Sequence, residues 1–257
     1  MTVQGVLLDL SGVVYDGDHA IAGALEAIAR LRAARLPIRF VTNTTRKPRQ
    51  AIIRELSAIG LNVANDELFT PVDAANAWLA ENACSTSLLV HPALKDEFPA
   101  PQKTEGRAVI IGDAEHDFNY TNLNEVFRDL IDGAELLALA KNRTFKDRDG
   151  KLSLDAGPFV AALEFATGKQ AVVLGKPAPE FFKSVLASIP CPPENAVMVG
   201  DDAEADVAGA LSCGLGSALL VRTGKFRDGD EARFDPHPTA IVDDLTAAVE
   251  WILTNRN

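Results

Sequence analysis

Short runs of Val, Ile and Leu alternate with helix-length amphipathic segments along this chain, and no other feature constrains its fold as strongly. Six runs predict buried strands, at residues 3–8, 38–41, 108–111, 171–174, 196–199 and 217–221. Six other segments predict helices, at residues 21–35, 49–59, 123–130, 158–167, 179–189 and 204–213. Continuous apolar strands alternating with helices are typical of a parallel sheet covered on both faces. The sequence therefore predicts an α/β protein.

Polar residues stand where four of the predicted strands end. In open parallel sheets, ligands bind beyond the carboxyl ends of the strands. The residues at these four ends are Asp9, the pair Thr42 and Asn43, Lys176 after Gly175, and the pair Asp201 and Asp202. A single aspartate after a strand is often only a helix cap. Two acids, a hydroxyl with an amide, and a lysine at four strand ends indicate a functional site.

The middle of the chain, residues 72–170, reads as a separate module. It has strand and helix signals of its own, and its polar stretch 142–153 predicts a hairpin around Asp149 and Gly150. An insertion on two short hinges fits this pattern. We expect a first core segment at 1–72, an inserted domain at 73–172 and a second core segment at 173–257.

The two acids favour a hard cation with oxygen ligands. No His or Cys lies near Asp9 or Asp201 in the sequence, and Mg²⁺ binds through one or two carboxylates together with substrate phosphate. Phosphoryl transfer depends mostly on positioning and charge stabilisation, which these residues can supply. A carboxylate is also a covalent nucleophile that forms an aspartyl-phosphate. The constellation therefore predicts phosphoryl chemistry with Mg²⁺ as cofactor.

Four segments, in order along the chain, resemble the motifs of the haloacid dehalogenase superfamily. They are Asp9-Leu-Ser-Gly-Val, Val41-Thr-Asn-Thr, Gly175-Lys-Pro, and Gly200-Asp-Asp followed by Asp206. The resemblance covers the whole chain, and the insertion is similar to the large cap of type IIA members. It implies a three-layer Rossmann-like parallel-sheet core with an inserted α/β cap domain. Longer stretches resemble members that hydrolyse phospholysine, phosphohistidine and inorganic pyrophosphate, and a sister group of uncharacterised hydrolase-domain proteins.

The resemblance implies roles at the phosphoryl-binding centre. Asp9 would attack phosphorus in line, Thr42 and Asn43 would hold the phosphoryl group, and Lys176 would steady Asp9 and the transferring charge. The predicted catalytic residues are Asp9 and Lys176. The predicted substrate-binding residues are Asp9, Ser11, Thr42, Asn43 and Lys176.

The resemblance also implies a metal site. Asp9 and Asp201 would ligate Mg²⁺, and Ser11 would offer its backbone carbonyl. Either Asp202 or Asp206 would complete the site, directly or through water. The predicted metal ligands are Asp9, Ser11, Asp201 and Asp206.

Ser11 departs from the usual pattern of the superfamily's phosphatases, which have an aspartate there as general acid and base. Such help is worth about 10²–10⁴-fold in rate, and a serine hydroxyl is too weak an acid to supply it. Alkyl phosphate esters should therefore be poor substrates, whereas phosphoramidates and pyrophosphate release better leaving groups. Asp16 and Asp18 lie just downstream and are candidates for a substitute acid; the alternative is a solvated turn that takes no part in the reaction.

Composition excludes some functions and leaves rivals open. The net charge of −11 argues against nucleic-acid binding, and no run approaches the roughly 20 apolar residues that span a bilayer. Three cysteines without metal-type spacing, and no signal-peptide pattern, indicate the cytoplasm. We expect a small phosphorylated or phosphoramidate substrate and, by resemblance, a homodimer through the cap. Alternatives are a sugar-phosphate or nucleotide monoester phosphatase and a non-catalytic phosphate-sensing or partner-binding protein.

Overall fold

The computed structural model describes residues 2–100, 104, 106–146 and 151–256. Its strands are β1 (Gly5–Asp9), β2 (Tyr15–Asp16), β3 (His19–Ala20), β4 (Ile38–Val41), β5 (Leu68–Phe69), β6 (Cys84–Leu89), β7 (Gly106–Ile111), β8 (Glu135–Ala138), β9 (Thr144–Lys146), β10 (Leu152–Leu154), β11 (Val172–Val173), β12 (Ala196–Gly200), β13 (Ser217–Val221) and β14 (Ala240–Val242). Its α-helices are α1 (Ala24–Ala33), α2 (Arg49–Ala58), α3 (Pro71–Asn82), α4 (Tyr120–Ile131), α5 (Ala156–Thr167), α6 (Pro179–Ala187), α7 (Gly209–Ser212) and α8 (Leu245–Thr254).

These elements form two compact units. The first unit comprises residues 1–42, 49–69 and 176–257, and the second comprises residues 43–48 and 70–175. The domain boundaries that we expect from the sequence, at 72/73 and 172/173, stay predictions. The sequence gives no sign that the short segment 43–48 belongs with the second unit.

The first unit is built on a six-stranded parallel sheet with the order β14-β13-β12-β1-β4-β5. Every residue of β1, β12 and β13 is buried, as expected for strands covered on both faces. Helix α1 buries Ala24, Ala27, Ile28 and Leu31, which recur at helical spacing along one face. Helix α8 packs beside α1 and adds Leu245, Ala248, Val249 and Ile252 to the same core. The predicted α/β class with a Rossmann-like parallel-sheet core is confirmed.

The register of this sheet brings three strand ends together. Leu8 of β1 is level with Val199 of β12, and Asp9 is level with Val41 of β4. Because the strands are parallel, the residues that follow β4 and β12 emerge at the same edge as Asp9. Thr42 and Asp201 are therefore placed beside Asp9 by backbone pairing alone.

The second unit has its own four-stranded parallel sheet, in the order β11-β8-β7-β6. Helices α4 and α5 pack together, and their apolar faces form a core with the sheet that includes Val109, Ile111 and Val160. Strands β9 and β10 pair as an antiparallel hairpin, with Phe145 opposite Ser153. The predicted hairpin is present, although its expected tip at Asp149 and Gly150 lies outside the described residues.

Two predicted elements differ in detail. The strand expected at 171–174 pairs only over Val172–Val173. The helix expected at 204–213 begins as a π-helical turn, Ala203–Ala208, before it continues as α7. In the part of the chain that the structure describes, no helix has the length and apolarity needed to cross a membrane.

Candidate active site

Asp9 and Asp201 lie next to each other at the carboxyl edge of the six-stranded sheet. Asp9 is the last residue of β1, and Asp201 directly follows β12. Both carboxylates are buried, with 7% and 3% of each residue exposed. Burying a charge is costly unless it is paired. The site therefore needs positive charge close to these two side chains.

Lys176 supplies part of that charge. Its ammonium donates to Oδ1 of Asp9 at 2.5 Å and to Oδ1 of Asp206 at 2.6 Å. Burial alone would lower the pKa of Lys176, but the two carboxylates outweigh it and raise that pKa above its ordinary value. Lys176 is therefore a fixed positive charge at neutral pH.

The third carboxylate, that of Asp206, reaches the site because the backbone is widened there. The carbonyl of Asp202 accepts from the N–H of Asp206 at 3.0 Å and from that of Val207 at 3.3 Å, which is the bonding of a π turn. Such single turns are frequent at functional sites. Oδ2 of Asp206 also accepts from the N–H of Asp202, which fixes the side chain.

Asp9, Asp201 and Asp206 form a buried acidic cluster, with one carboxylate oxygen of each within 4.8 Å of the others. Burial raises the pKa of Asp9. Burial, together with the charge of Asp206, raises the pKa of Asp201 to about 6, and burial, together with the charge of Asp9, raises that of Asp206 to about 6. Three carboxylates against the one ammonium of Lys176 leave two negative charges when all are ionised. A divalent cation with a preference for oxygen ligands fits this donor set.

The carboxylate of Asp202 makes contacts of a different kind. Its Oδ1 accepts from the N–H groups of Glu204 and Ala205, which caps the π turn, and its Oδ2 lies 3.3 Å from Nζ of Lys225. Although burial opposes it, these N–H groups and the ammonium hold the pKa of Asp202 below its usual range. Of the two residues that the sequence left open, the structure brings Asp206 to the cluster and gives Asp202 a capping role.

The expected phosphoryl-binding pair divides between the two units. Thr42 is buried beyond the end of β4, and its N–H donates to the carbonyl of Phe69. Asn43 belongs to the second unit, where a Cβ on Gly175 would lie 3.0 Å from its Oδ1. A glycine at position 175 allows this close approach. The phosphoryl-binding role of both residues stays a prediction.

The segment after β1 forms a small flap. Ser11 has an exposed side chain and forms an isolated bridge with Tyr15, and Asp16 and Asp18 are exposed on the β2–β3 hairpin. Burial, together with the charges of Asp9 and Glu55, raises the pKa of Tyr15 to about 12, so its phenol stays protonated. A role for Asp16 or Asp18 as a substitute acid stays a prediction.

Sequence reasoning missed the residues on the far side of Asp201. The backbone N–H of Lys225 donates to Oδ2 of Asp201 at 2.8 Å, and Thr223 donates to the carbonyl of Gly12. The strand-end rule could have pointed to Thr223 and Lys225, because they also follow a predicted strand, β13. What the sequence did not reveal is that a backbone N–H makes the contact.

The second unit contains a separate polar cluster around Arg46. Its guanidinium donates to Oδ2 of Asp113 at 2.5 Å, lies 3.2 Å from Oε1 of Glu115 and stacks 4.2 Å from the ring centre of Phe145. These contacts hold segment 43–48 to the second unit. They also explain why this segment does not belong with the strand that precedes it.

Comparisons with known proteins agree with this architecture. A family model described as haloacid dehalogenase-like hydrolase matches residues 6–100, and a related HAD-hydrolase-like model matches residues 173–248. The human phospholysine phosphohistidine inorganic pyrophosphate phosphatase is 43% identical, over 98% of this chain and 94% of its own length. The human haloacid dehalogenase-like hydrolase domain-containing protein 2 is 42% identical, over 98% and 96%.

A solved structure shows the same fold with a metal bound. The glycerol phosphate phosphatase from Mycobacterium tuberculosis in complex with magnesium superposes with a TM-score of 0.81 and 26% identity, covering 95% of this chain and 76% of that chain. The two family models and the near full-length relatives place the protein without ambiguity. The chain belongs to the haloacid dehalogenase-like hydrolases.

Proposed function

We propose that this hydrolase is a Mg²⁺-dependent phosphatase that works through an aspartyl-phosphate on Asp9 and acts on P–N bonds and on inorganic pyrophosphate. The observation that carries the proposal is the buried ion pair of Asp9 with Lys176 beside Asp201 and Asp206. A nucleophilic carboxylate, a fixed positive charge and a site for a divalent cation are the parts that phosphoryl transfer needs.

Asp9 is the nucleophile in this mechanism. Lys176 holds Oδ1 of Asp9, which fixes the plane of the carboxylate and therefore the direction of Oδ2. A carboxylate oxygen attacks phosphorus, the bond from phosphorus to the leaving group breaks, and the leaving group departs with the electron pair. Water then attacks the phosphorus of phospho-Asp9, which releases inorganic phosphate and restores the carboxylate. The ammonium of Lys176 lies where negative charge would otherwise accumulate.

Asp9, Asp201 and Asp206 are the side chains that would hold Mg²⁺, with the backbone carbonyl of Ser11 as a further oxygen donor. When bound, the ion neutralises charge on the transferring phosphoryl group. The chain itself contributes the burial that keeps these carboxylates together. It also contributes Lys176, whose ammonium offsets the repulsion between the carboxylates of Asp9 and Asp206.

Ser11 determines which leaving groups this site can release. An alkoxide must be protonated as it departs, and a serine hydroxyl cannot act as that acid at neutral pH. The phosphate that leaves pyrophosphate is a much weaker base than an alkoxide, and so is an imidazole that leaves phosphohistidine. Hydrolysis of these substrates therefore depends least on a protein acid.

The comparisons support this substrate class but also keep a second candidate. The 43% identical human relative is named for phospholysine, phosphohistidine and pyrophosphate. The 26% identical structural neighbour is named for glycerol phosphate, an alkyl monoester. A monoester phosphatase is therefore the second candidate function. Ser11 favours the first.

A substrate panel distinguishes the candidates. With Mg²⁺, we expect kcat/KM for pyrophosphate and imidodiphosphate to exceed that for glycerol phosphate by at least about tenfold, because the last has the poorest leaving group. Phosphate release measured with and without Mg²⁺ checks this. If glycerol phosphate were hydrolysed fastest, the protein would be a monoester phosphatase and the proposed preference for P–N bonds and pyrophosphate would be wrong. Phosphate binding without turnover of any substrate would indicate a non-catalytic protein.

Restoring the acid tests the role of Ser11 directly. We expect Ser11→Asp to raise kcat/KM for glycerol phosphate by about 10²-fold, since it supplies general acid catalysis, and to change pyrophosphate hydrolysis far less. Ser11→Asn is the matched control, because it has similar size and no acidic proton. A gain with Asn equal to that with Asp, or no gain with Asp, contradicts this account of specificity.

The raised pKa of Asp201 predicts a pH-dependent stability in the metal-free protein. Folding raises this pKa from 3.8 to about 6, so the folded state binds the proton more tightly and loses stability as pH rises from about 3.8 to about 6. We expect Asp201→Asn to raise Tm by about 2–6 °C near pH 8 and by roughly half as much near pH 5, because the ionised carboxylate destabilises the fold less at the lower pH. Thermal unfolding with a chelator present measures this.

Asp202 provides the control of opposite sign. Because its pKa is lowered in the folded protein, its ionised form stabilises the fold throughout this pH range. Asp202→Asn should therefore lower Tm near both pH 5 and pH 8. A gain of Tm for Asp202→Asn, or a loss for Asp201→Asn near pH 8, contradicts the electrostatic description of the site.

A further inference from the structure

The turn that follows β13 lies against the predicted metal site and has no role in the mechanism above. We call residues Thr223–Lys225 the Thr223 turn. Strand β13 is the neighbour of β12, with Leu220 level with Gly200, so this turn emerges beside Asp201. The same edge of the sheet therefore places a backbone turn against the side chain of Asp201.

Lys225 contacts both aspartates that follow β12. Its backbone N–H donates to Oδ2 of Asp201 at 2.8 Å, and its Nζ lies 3.3 Å from Oδ2 of Asp202. A carboxylate is planar, so a hydrogen bond that holds one oxygen also fixes the direction of the other. Lys225 therefore sets the orientation of the Asp201 carboxylate.

Two glycines enclose the same oxygen. A Cβ on Gly12 or on Gly224 would lie 2.1 Å from Oδ2 of Asp201, which is far inside van der Waals contact. Both residues also have positive φ, +82° and +67°, where side chains are strained. Only glycine at both positions lets the two backbones close around Asp201.

Thr223 ties the two backbones together. Its Oγ1 donates to the carbonyl of Gly12 at 2.5 Å. Gly12 directly follows Ser11, whose backbone carbonyl is a predicted metal ligand. One hydroxyl therefore links the turn that orients Asp201 to the turn that carries the Ser11 carbonyl.

We propose that the Thr223 turn is a positioning element that fixes Asp201 and the Ser11–Gly12 turn in one arrangement for binding a divalent cation. The proposal rests on the proposed function, because it assumes that Asp201 ligates Mg²⁺. Thr223 and Lys225 do not touch the substrate in this account. They act through Asp201 and Gly12, so they set metal affinity rather than the chemical step.

The hydroxyl of Thr223 can be removed without changing the size of the side chain. In the metal-free protein, we expect Thr223→Val to weaken Mg²⁺ binding by about fivefold to tenfold, because one hydrogen bond of the arrangement is lost. Thr223→Ser keeps the donor and should bind Mg²⁺ within about twofold of wild type. Isothermal titration calorimetry measures the dissociation constant without substrate.

Thr254→Val is the matched control for loss of a hydroxyl. Thr254 is exposed on α8, and its Oγ1 donates within that helix to the carbonyl of Glu250. It should leave Mg²⁺ affinity unchanged. With saturating Mg²⁺, Thr223→Val should also keep kcat close to wild type, whereas the Mg²⁺ concentration for half-maximal rate should rise in proportion to the dissociation constant.

The outcomes separate this proposal from the proposed function. If wild type binds Mg²⁺ and Thr223→Val binds it equally well, the positioning role is wrong while the proposed function stands. If wild type binds no Mg²⁺ and hydrolyses nothing on the panel, both are wrong. Should Thr223→Val fail to fold by circular dichroism, Thr223→Ala removes the same hydroxyl and gives the same comparison.

Discussion

The ammonium of Lys176, buried between the carboxylates of Asp9 and Asp206, is the interaction on which the rest of the site depends. Without it, three buried carboxylates would repel one another at the end of an apolar sheet, at a cost that burial makes large. With it, one charge is neutralised, the orientation of Asp9 is fixed, and two negative charges remain for a divalent cation. Burial and the charges of neighbouring carboxylates still raise the pKa of Asp201 and that of Asp206 to about 6 each, so the lysine offsets these effects only in part.

The fold supplies this arrangement through backbone geometry. Parallel pairing of β12, β1 and β4 brings Asp201, Asp9 and Thr42 to one edge, and the π turn after β12 returns Asp206 to the same place. In the proposed function, selection among substrates depends on the flap after β1, where Ser11 stands in place of an acid. On this proposal, the sheet edge provides the nucleophile and the charge stabilisation, and the side chain at position 11 decides which leaving groups can depart.

Part of this site could be predicted because it follows from strand order. The rule that ligands meet the carboxyl ends of parallel strands identified Asp9 and Asp201, since apolar runs reveal where strands end. The choice between Asp202 and Asp206 could not be made, because it depends on a local widening of the helix by one residue. The N–H of Lys225 was missed because every residue but proline has one, so a backbone donor leaves no mark in the sequence. Helix α3 was not predicted, although Thr70 and Asp73 form a capping box at its start.

Whether Asp9 is the nucleophile can be tested by chemical quenching of turnover. Pyrophosphate and Mg²⁺ are mixed with the enzyme, the reaction is stopped with acid within one turnover, and the peptides are analysed by mass spectrometry. We expect a peptide containing Asp9 to carry one added phosphoryl group at that residue, and we expect Asp9→Asn to carry none and to turn over no substrate. If the quenched wild-type enzyme carried no phosphoryl group on Asp9 and Asp9→Asn still turned over substrate, Asp9 would not be the nucleophile.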